Sequence, residues 1–203
     1  MAVEQTSEYS MRPMSLTDLD TIKEWSLNFD DAALFERNLP VPVGPDQIKE
    51  SWKEVLAAHT PPKNLWFVAE NAQKEPVGIC GLESINYIHG DAILPAFVEH
   101  KSRTKGLAVR MAFSIINLAF DTLRLHRLTT HYRADHPVSP YLTKKAGFVE
   151  EGRVRGAWYS NGTHKDIVYM GLLKADWYAL RDNLTDELNT SKKPAISFRG
   201  HFD

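Results

Sequence analysis

The sequence predicts a single-domain α/β (α+β) fold, a mixed sheet with helices on its faces, and three observations carry that prediction. The chain has 203 residues, 43% of them hydrophobic, which suffices to close one sizeable core. Its hydrophobic period changes in a definite order: helix, helix, three strands, helix, strand, helix and two strands. The longest helical pattern is preceded by a basic, glycine-containing turn, Arg103-Thr104-Lys105-Gly106-Leu107-Ala108.

Each element follows from its own residues. Ser15-Leu16-Thr17-Asp18 is a helix-start signal, after which Leu16, Leu19, Ile22 and Trp25 make one apolar stripe. Asn28 to Pro45 is polar and proline-rich and leads to a second helix marked by Ile48, Trp52, Val55 and Leu56. Thr60-Pro61-Pro62-Lys63-Asn64 ends it. Leu65 to Glu70 and Val77 to Ile85 are short, apolar and β-prone, and the turn-like residues 71–76 between them predict a hairpin. Ala92 to Glu99 is a third strand in which Pro95, lacking an N–H, calls for a bulge or an unpaired edge.

Beyond the loop from His100 to Lys105, apolar residues from Ala108 to Leu123 recur at helical spacing. Leu128 to Arg133 reads as a strand and Val138 to Ala146 as a short helix, with Pro137 near its first turn and Gly147 past its end. Phe148 to Trp158 and His164 to Leu173 form a hairpin around Asn161-Gly162. Asp176 to Leu184 closes the domain as a helix. These readings divide the chain into a flexible N-terminus, 1–10, one domain over 11–184, and a loose polar tail, 185–203.

Composition excludes several classes of function. Lys plus Arg number 24 against 26 Asp plus Glu, so no overall positive field exists to hold a nucleic-acid backbone. Cys80 is the only cysteine and lies in an apolar run, which rules out an internal disulfide and a zinc cage and suits a cytoplasmic protein. A buried, inert thiol is the expectation for it. The eight histidines show no ligand-like spacing, so no metal is expected. No apolar run approaches the roughly 20 residues of a membrane span, and the N-terminus lacks the apolar stretch of a secretory signal.

The turn before the long helix carries the most chemistry. The first amides of a helix have no intrahelical partner and carry partial positive charge, so a glycine turn leading into one can hold a phosphate. Gly106 lets backbone approach a ligand, Ala108 keeps the next position small, and Arg103, Lys105 and Lys101 can neutralise phosphate charge. A mononucleotide or a coenzyme A diphosphate fits; a Walker loop or a dinucleotide fingerprint would need residues that are absent.

In this context the sequence resembles the GNAT acetyltransferases, and more closely their ribosomal-protein-alanine and spermidine acetyltransferase branch, over about Met11 to Trp177. Four segments carry the resemblance: Ala92 to Ala108, ending in Arg103-x-x-Gly106-x-Ala108; His136-Pro137-Val138-Ser139 with Lys144-Lys145-Ala146-Gly147-Phe148; Glu151-Gly152-Arg153-Val154-Arg155; and Asn161-Gly162 with Asp166 and Tyr169. The resemblance implies a mixed sheet of six to seven strands, splayed between the strand near Phe97 and the strand near Thr130, with pantetheine in the gap. It implies acetyl-CoA as co-substrate, a small-molecule or peptide amine as acceptor, and a homodimer as the common assembly. Cofactor binding then falls to Phe97, Val98, Arg103, Thr104, Lys105, Gly106, Leu107, Ala108, His136 and Ser139. Phe97 and Val98 act through backbone, one amide there facing the thioester carbonyl; such a donor is worth about 3 kcal/mol in comparable acyl transfers.

Acyl transfer to an amine needs a neutral amine, and at pH 7 an α-amine is about one-tenth neutral, whereas a lysine-like amine is neutral in about one molecule per few thousand. Glu83, on the central strand, is the candidate proton acceptor; an outward-facing surface carboxylate is its plainer alternative. His131 and Asp135 are weaker candidates. Ser139 corresponds to the family's serine near the coenzyme sulfur and is the candidate acid, or else a helix-cap residue. Two positions depart from the pattern: Thr143 stands where many relatives have a tyrosine, and His136 replaces an asparagine. Tyr141 is near but points elsewhere on the helix. Asp166, Arg155 and Trp158 read as structural, with a buried ion pair in the last hairpin, or as the rim of a cleft. Asp30, Asp31 and Glu36 could receive a polycation or form a solvated helix face. A non-catalytic acyl-CoA-binding domain is the rival reading.

Overall fold

The computed structural model of the chain describes residues 9–35, 37, 44–103, 106–190 and 196–198. Its strands are β1 (Tyr9–Pro13), β2 (Leu65–Glu70), β3 (Pro76–Asn86), β4 (Asp91–Ile93), β5 (Ala96–Val98), β6 (Arg127–Arg133), β7 (Val149–Ser160), β8 (Thr163–Leu173) and β9 (Ile196–Phe198). Its α-helices are α1 (Leu19–Trp25), α2 (Phe29–Phe35), α3 (Pro45–Val55), α4 (Leu107–Asn117), α5 (Ser139–Lys145) and α6 (Lys174–Thr190). The strands form one open sheet in the order β7-β8-β6-β4-β3-β2-β1-β9, with β5 paired to β3. The β4–β6 and β1–β9 pairs are parallel and all others antiparallel.

Proline chemistry shapes the middle of this sheet. Ala92 to Glu99 is one run of chain broken at Leu94-Pro95 into β4 and β5, because Pro95 contributes only its carbonyl, which accepts from the Gly81 N–H at 3.1 Å. At the other end, Asn161 (φ 49°) and Gly162 (φ 78°) make the tight two-residue turn expected between β7 and β8.

Two layers of helix bury the two faces. On one, Met111, Ile115, Ile116, Ala119 and Phe120 of α4 and the turn after it pack with Trp177 of α6 against Cys80, Leu82 and Leu128, all at most 1% exposed. On the other, Leu19, Ile22, Ile48 and Trp52 of α1 and α3 pack on Trp66, Val68 and Ile79. Burial of this kind contributes about 25 cal/mol per Å² of apolar surface and is the main force holding the helices to the sheet.

Several boundaries differ from the sequence reading. Tyr9–Pro13, placed partly in a flexible N-terminus, is a strand whose Met11 is fully buried; Arg12 and Pro13 had masked its alternation. The tail assigned to 185–203 begins with the second half of α6, which runs to Thr190 with Leu188 buried and its carbonyl accepting from the Arg110 guanidinium. Ile196–Phe198 then pair with β1 as a ninth strand, so the sheet exceeds the six to seven expected. A helix also occupies Phe29–Phe35, inside the stretch read as polar and proline-rich. Its start is set by Asn28, whose side-chain oxygen accepts from the Asp31 N–H at 3.3 Å.

Candidate active site

The site begins where two neighbouring strands part. β4 runs parallel to β6 as far as Ile93 opposite Thr129, and the Leu94 N–H donates to Thr129 O at 2.8 Å. Beyond that bond β5 stays with β3 and β6 stays with β8. The Glu99 N–H donates to Val77 O at 3.0 Å and the Gly81 N–H to Pro95 O at 3.1 Å. Odd-numbered residues of β5 therefore spend their backbone groups on β3, and those of Ala96 and Val98 face the gap. Of the two expected donors, Val98 offers its amide to the gap, whereas Phe97 directs its backbone to β3.

At the mouth of the gap stands the first turn of α4. Gly106 caps it with φ 98° and ψ −6°, a conformation that side chains disfavour, and the amides following it are free of intrahelical partners. Leu107 is fully buried and Ala108 half-buried. Thr104 and Lys105 lie outside the described residues. The Arg103 guanidinium does not reach out toward a phosphate. It folds back, with Nη2 2.7 Å from Asp31 Oδ1 and Nε donating to Val98 O at 3.3 Å.

The opposite side of the sheet holds an apolar pocket lined by Ile22, Trp25, Ala32, Phe35, Trp52 and Phe97, with Ile79 and Ser26. Phe97 stacks on Trp25 (centroids 5.8 Å apart) and meets Phe35 edge-on at 5.3 Å. Glu83 lies four residues from Ile79 and hence on the same face. It is half-buried, and burial pushes its carboxyl up; the Trp66 indole N–H partly counters this. That indole nitrogen is buried without a partner at hydrogen-bonding distance among the described residues, so its pull on Glu83 is short of a formed bond. Across the gap His131 packs on Tyr169 at 5.5 Å and Trp158 at 6.5 Å, and burial, then the Arg37 charge, lowers its pKa.

The remaining candidates fall around α5. The His136 Nδ1 accepts from the Val138 and Ser139 amides at 3.2 and 3.1 Å, capping that helix, and burial followed by the Arg103 and Arg133 charges depresses its pKa. With Nδ1 accepting, Nε2 is the ring's remaining donor. Ser139 is half-buried, and its hydroxyl makes no hydrogen bond among the described residues. Thr143 Oγ1 donates to Ser139 O at 2.9 Å, and Tyr141 is 62% exposed. Asp135 is exposed and held by Arg133 at 2.5 Å. Asp166 makes no ion pair with Arg155 and instead accepts from the Gly156 N–H at 2.9 Å, bracing a bulge in β7; the expected buried ion pair gives way to this backbone bond. Trp158 is buried beside His131. Cys80 is fully buried and its thiol is pushed up to about 12 by that burial, which makes it inert as expected.

Sequence reasoning missed the role of α2. Asp31 is almost fully buried, so the solvated helix face considered for it does not hold. It binds Arg103 and stands 3.2 Å from His100 Nδ1, while the Ala33 carbonyl accepts from Arg133 Nη1 at 3.1 Å. The Asn28 cap with Asp30 and Asp31 in the first turn was the signal that could have found this helix. Glu36 lies outside the described residues. Among the described residues no group of His, Cys, Asp and Glu could hold a metal, and no helix is long and apolar enough to cross a membrane.

Comparison with known proteins converges on one family. The acetyltransferase (GNAT) domain family matches residues 10–149. The spermidine N(1)-acetyltransferase of Vibrio cholerae is 32% identical over 111 residues, 55% of this chain and 64% of that protein. The putative ribosomal N-acetyltransferase YdaF of Bacillus subtilis is 29% identical over 100 residues, 49% of this chain and 55% of that protein. The match thus spans less than two thirds of the length of either curated relative. Among solved structures, spermidine N-acetyltransferase from Vibrio cholerae in complex with CoA and spermine superimposes with a TM-score of 0.74 at 26% identity, covering 84% of this chain and 98% of that one. A dodecameric structure of the Vibrio cholerae enzyme in an intermediate state gives 0.70 at 25% identity, covering 84% and 96%.

Proposed function

Since this chain belongs to the GNAT acetyltransferase family, we propose that it transfers an acetyl group from acetyl-CoA to a primary amine by direct attack on the thioester. The observation that carries the reading is the parting of β5 from β6 beside the Gly106 helix start. The two features fit one extended ligand: a diphosphate at the free α4 amides and a pantetheine arm along the backbone groups of Ala96 and Val98. Bound there, acetyl-CoA supplies the activated acetyl group and a thiolate leaving group.

The chain's own residues do the rest. The Val98 amide is aimed where negative charge develops on the carbonyl oxygen, and being fixed in a strand it needs no reorganisation. Glu83, its carboxyl pushed up by burial, takes the proton of the incoming ammonium directly or through one water. The Ser139 hydroxyl, free of other partners, returns a proton toward the departing sulfur, in place of the tyrosine that Thr143 replaces. The Nε2–H of His136 serves cofactor amides. The aromatic pocket around Phe97 receives the alkyl part of the acceptor, and spermidine and spermine head the list of amines because relatives are named for them. We assign the reaction to a reducing cytoplasm, a reading supported by a single, buried cysteine, and the oligomers named among relatives favour a homo-oligomer, a dimer at the least.

The test is amine-dependent release of free thiol. Acetyl-CoA with a panel of polyamines, amino acids and N-terminal peptides should yield coenzyme A and acetylated amine. Binding of acetyl-CoA with no turnover on any amine would favour the non-catalytic alternative.

A further inference from the structure

We propose that Asp31 and Arg103 form a positioning pair that holds the Val98 peptide in place, so that the loop's arginine aligns catalytic backbone and is not a ligand of the cofactor's phosphates. The proposal rests on the acetyltransferase reading for what the Val98 amide does. Its basis is that all three guanidinium nitrogens of Arg103 are engaged inside the molecule. Nη2 lies 2.7 Å from Asp31 Oδ1, Nε donates to Val98 O at 3.3 Å, and Nη1 stands 3.4 Å from His100 Nδ1.

Turning Arg103 outward would leave a carboxylate that is 4% exposed with His100 alone. Desolvated carboxylates do not give up such partners readily. The bond to Val98 O has a directional consequence. The peptide linking Val98 to Glu99 is gripped at both ends, its carbonyl by Arg103 and its N–H by Val77 O at 3.0 Å. That double grip sets the rotation of Val98 and hence the aim of its own N–H into the gap. Asp31 is itself anchored from the far bank, because Arg133 of β6 donates to the Ala33 carbonyl on the same short helix. The pair thus ties acceptor-side α2 to the strand that polarises the thioester.

The experiment combines kinetics with a readout that needs no turnover. Asp31→Asn and Arg103→Lys, the second keeping charge but losing the fork, should each lower kcat about tenfold. KM for acetyl-CoA and the calorimetric affinity for coenzyme A should stay within about twofold of the parent in both. The double variant should be no worse than the poorer single, since both remove one linkage. In protein labelled with ¹⁵N-valine, the Val98 amide resonance should shift in both variants without any ligand. An unmoved Val98 resonance overturns the proposal. So does a roughly tenfold loss of coenzyme A affinity in Arg103→Lys at unchanged kcat, which would make Arg103 a phosphate ligand, and so does a change confined to the amine's KM in Asp31→Asn. If Asp31→Asn fails to fold, Arg103→Lys, at a partly exposed side chain, decides alone. Absence of turnover in the parent with every amine would sink the acetyltransferase reading, while the Val98 resonance still judges the pair.

Discussion

The two sides of the gap are built by different means. On the cofactor side the parts are backbone: a glycine at φ 98°, the free first amides of α4, and the outward-facing peptide groups of β5. On the acceptor side the parts are side chains that pin short helices to the sheet. Arg12 grips Asp18 at 2.6 Å and Glu70 at 2.7 Å, Arg103 grips Asp31, and Arg133 reaches the Ala33 carbonyl. Backbone recognition tolerates wide variation in sequence as long as the turn is kept. Side-chain pins do not, because each depends on one charged group meeting another at a fixed place.

The contrast can be broken from the cofactor side first, where the largest effect is expected. Gly106→Glu puts a side chain and a negative charge where φ is positive and a diphosphate would sit. It should abolish the coenzyme A-induced rise in Tm, a loss of at least a hundredfold in affinity or about 2.7 kcal/mol of linkage, while leaving the ligand-free Tm little changed. Equal destabilisation with and without coenzyme A would show a structural glycine only.

Next comes Glu83, the proposed proton acceptor between the two sides. Glu83→Gln should lower kcat by about 10² to 10⁴ with little change in KM for acetyl-CoA. Because burial raises the Glu83 carboxyl, and only its ionised form accepts a proton, the parent's rate should climb with pH through a value above the ordinary 4.5 of a glutamic acid. That acid limb should vanish in Glu83→Gln. Ser139→Ala should cost less, about tenfold in kcat, because water can also protonate a thiolate. An unaltered pH profile in Glu83→Gln would assign the proton to another group.

On the acceptor side, Asp18→Asn removes a 7%-exposed carboxylate from the Arg12 cluster that holds the start of α1 to β1 and β2. It should cost about 2 kcal/mol of stability by denaturant titration. Burial raises the Asp18 carboxyl, but hydrogen bonds from Arg12 and Ser15 outweigh it, so its folded pKa lies below the usual value. The stabilisation is therefore complete above the unfolded pKa and lost as pH falls through the folded one. The gap in stability between parent and Asp18→Asn should close in acid. The smallest effect belongs to Cys80: with its thiol raised to about 12, native protein should resist alkylation at neutral pH.

The same division explains what the sequence disclosed. The β2–β3 and β7–β8 hairpins, the break at Pro95 and the glycine turn before α4 are each written in a few adjacent residues, through period, turn chemistry or a missing N–H. β1, with Arg12 and Pro13 in its five residues, and β9, far along a polar tail, become strands only because each finds an edge to pair with. Asp31 and Arg103 are 72 positions apart, and no local pattern announces their contact. Arg103 itself reads as a phosphate residue from its neighbours in sequence and as a brace from its neighbours in space. His136 likewise reads as a substituted cofactor contact, yet it spends Nδ1 on capping α5.

The proposed reaction carries acetyl from coenzyme A to an amine through this gap. It is tested most directly by following thiol release from acetyl-CoA with spermidine, spermine and other primary amines, with mass spectrometry of the amine product. Stoichiometric thiol and acetylated amine are expected, both lost in Glu83→Gln while coenzyme A still binds. Saturable binding of acetyl-CoA with no amine-dependent thiol from any acceptor would contradict it.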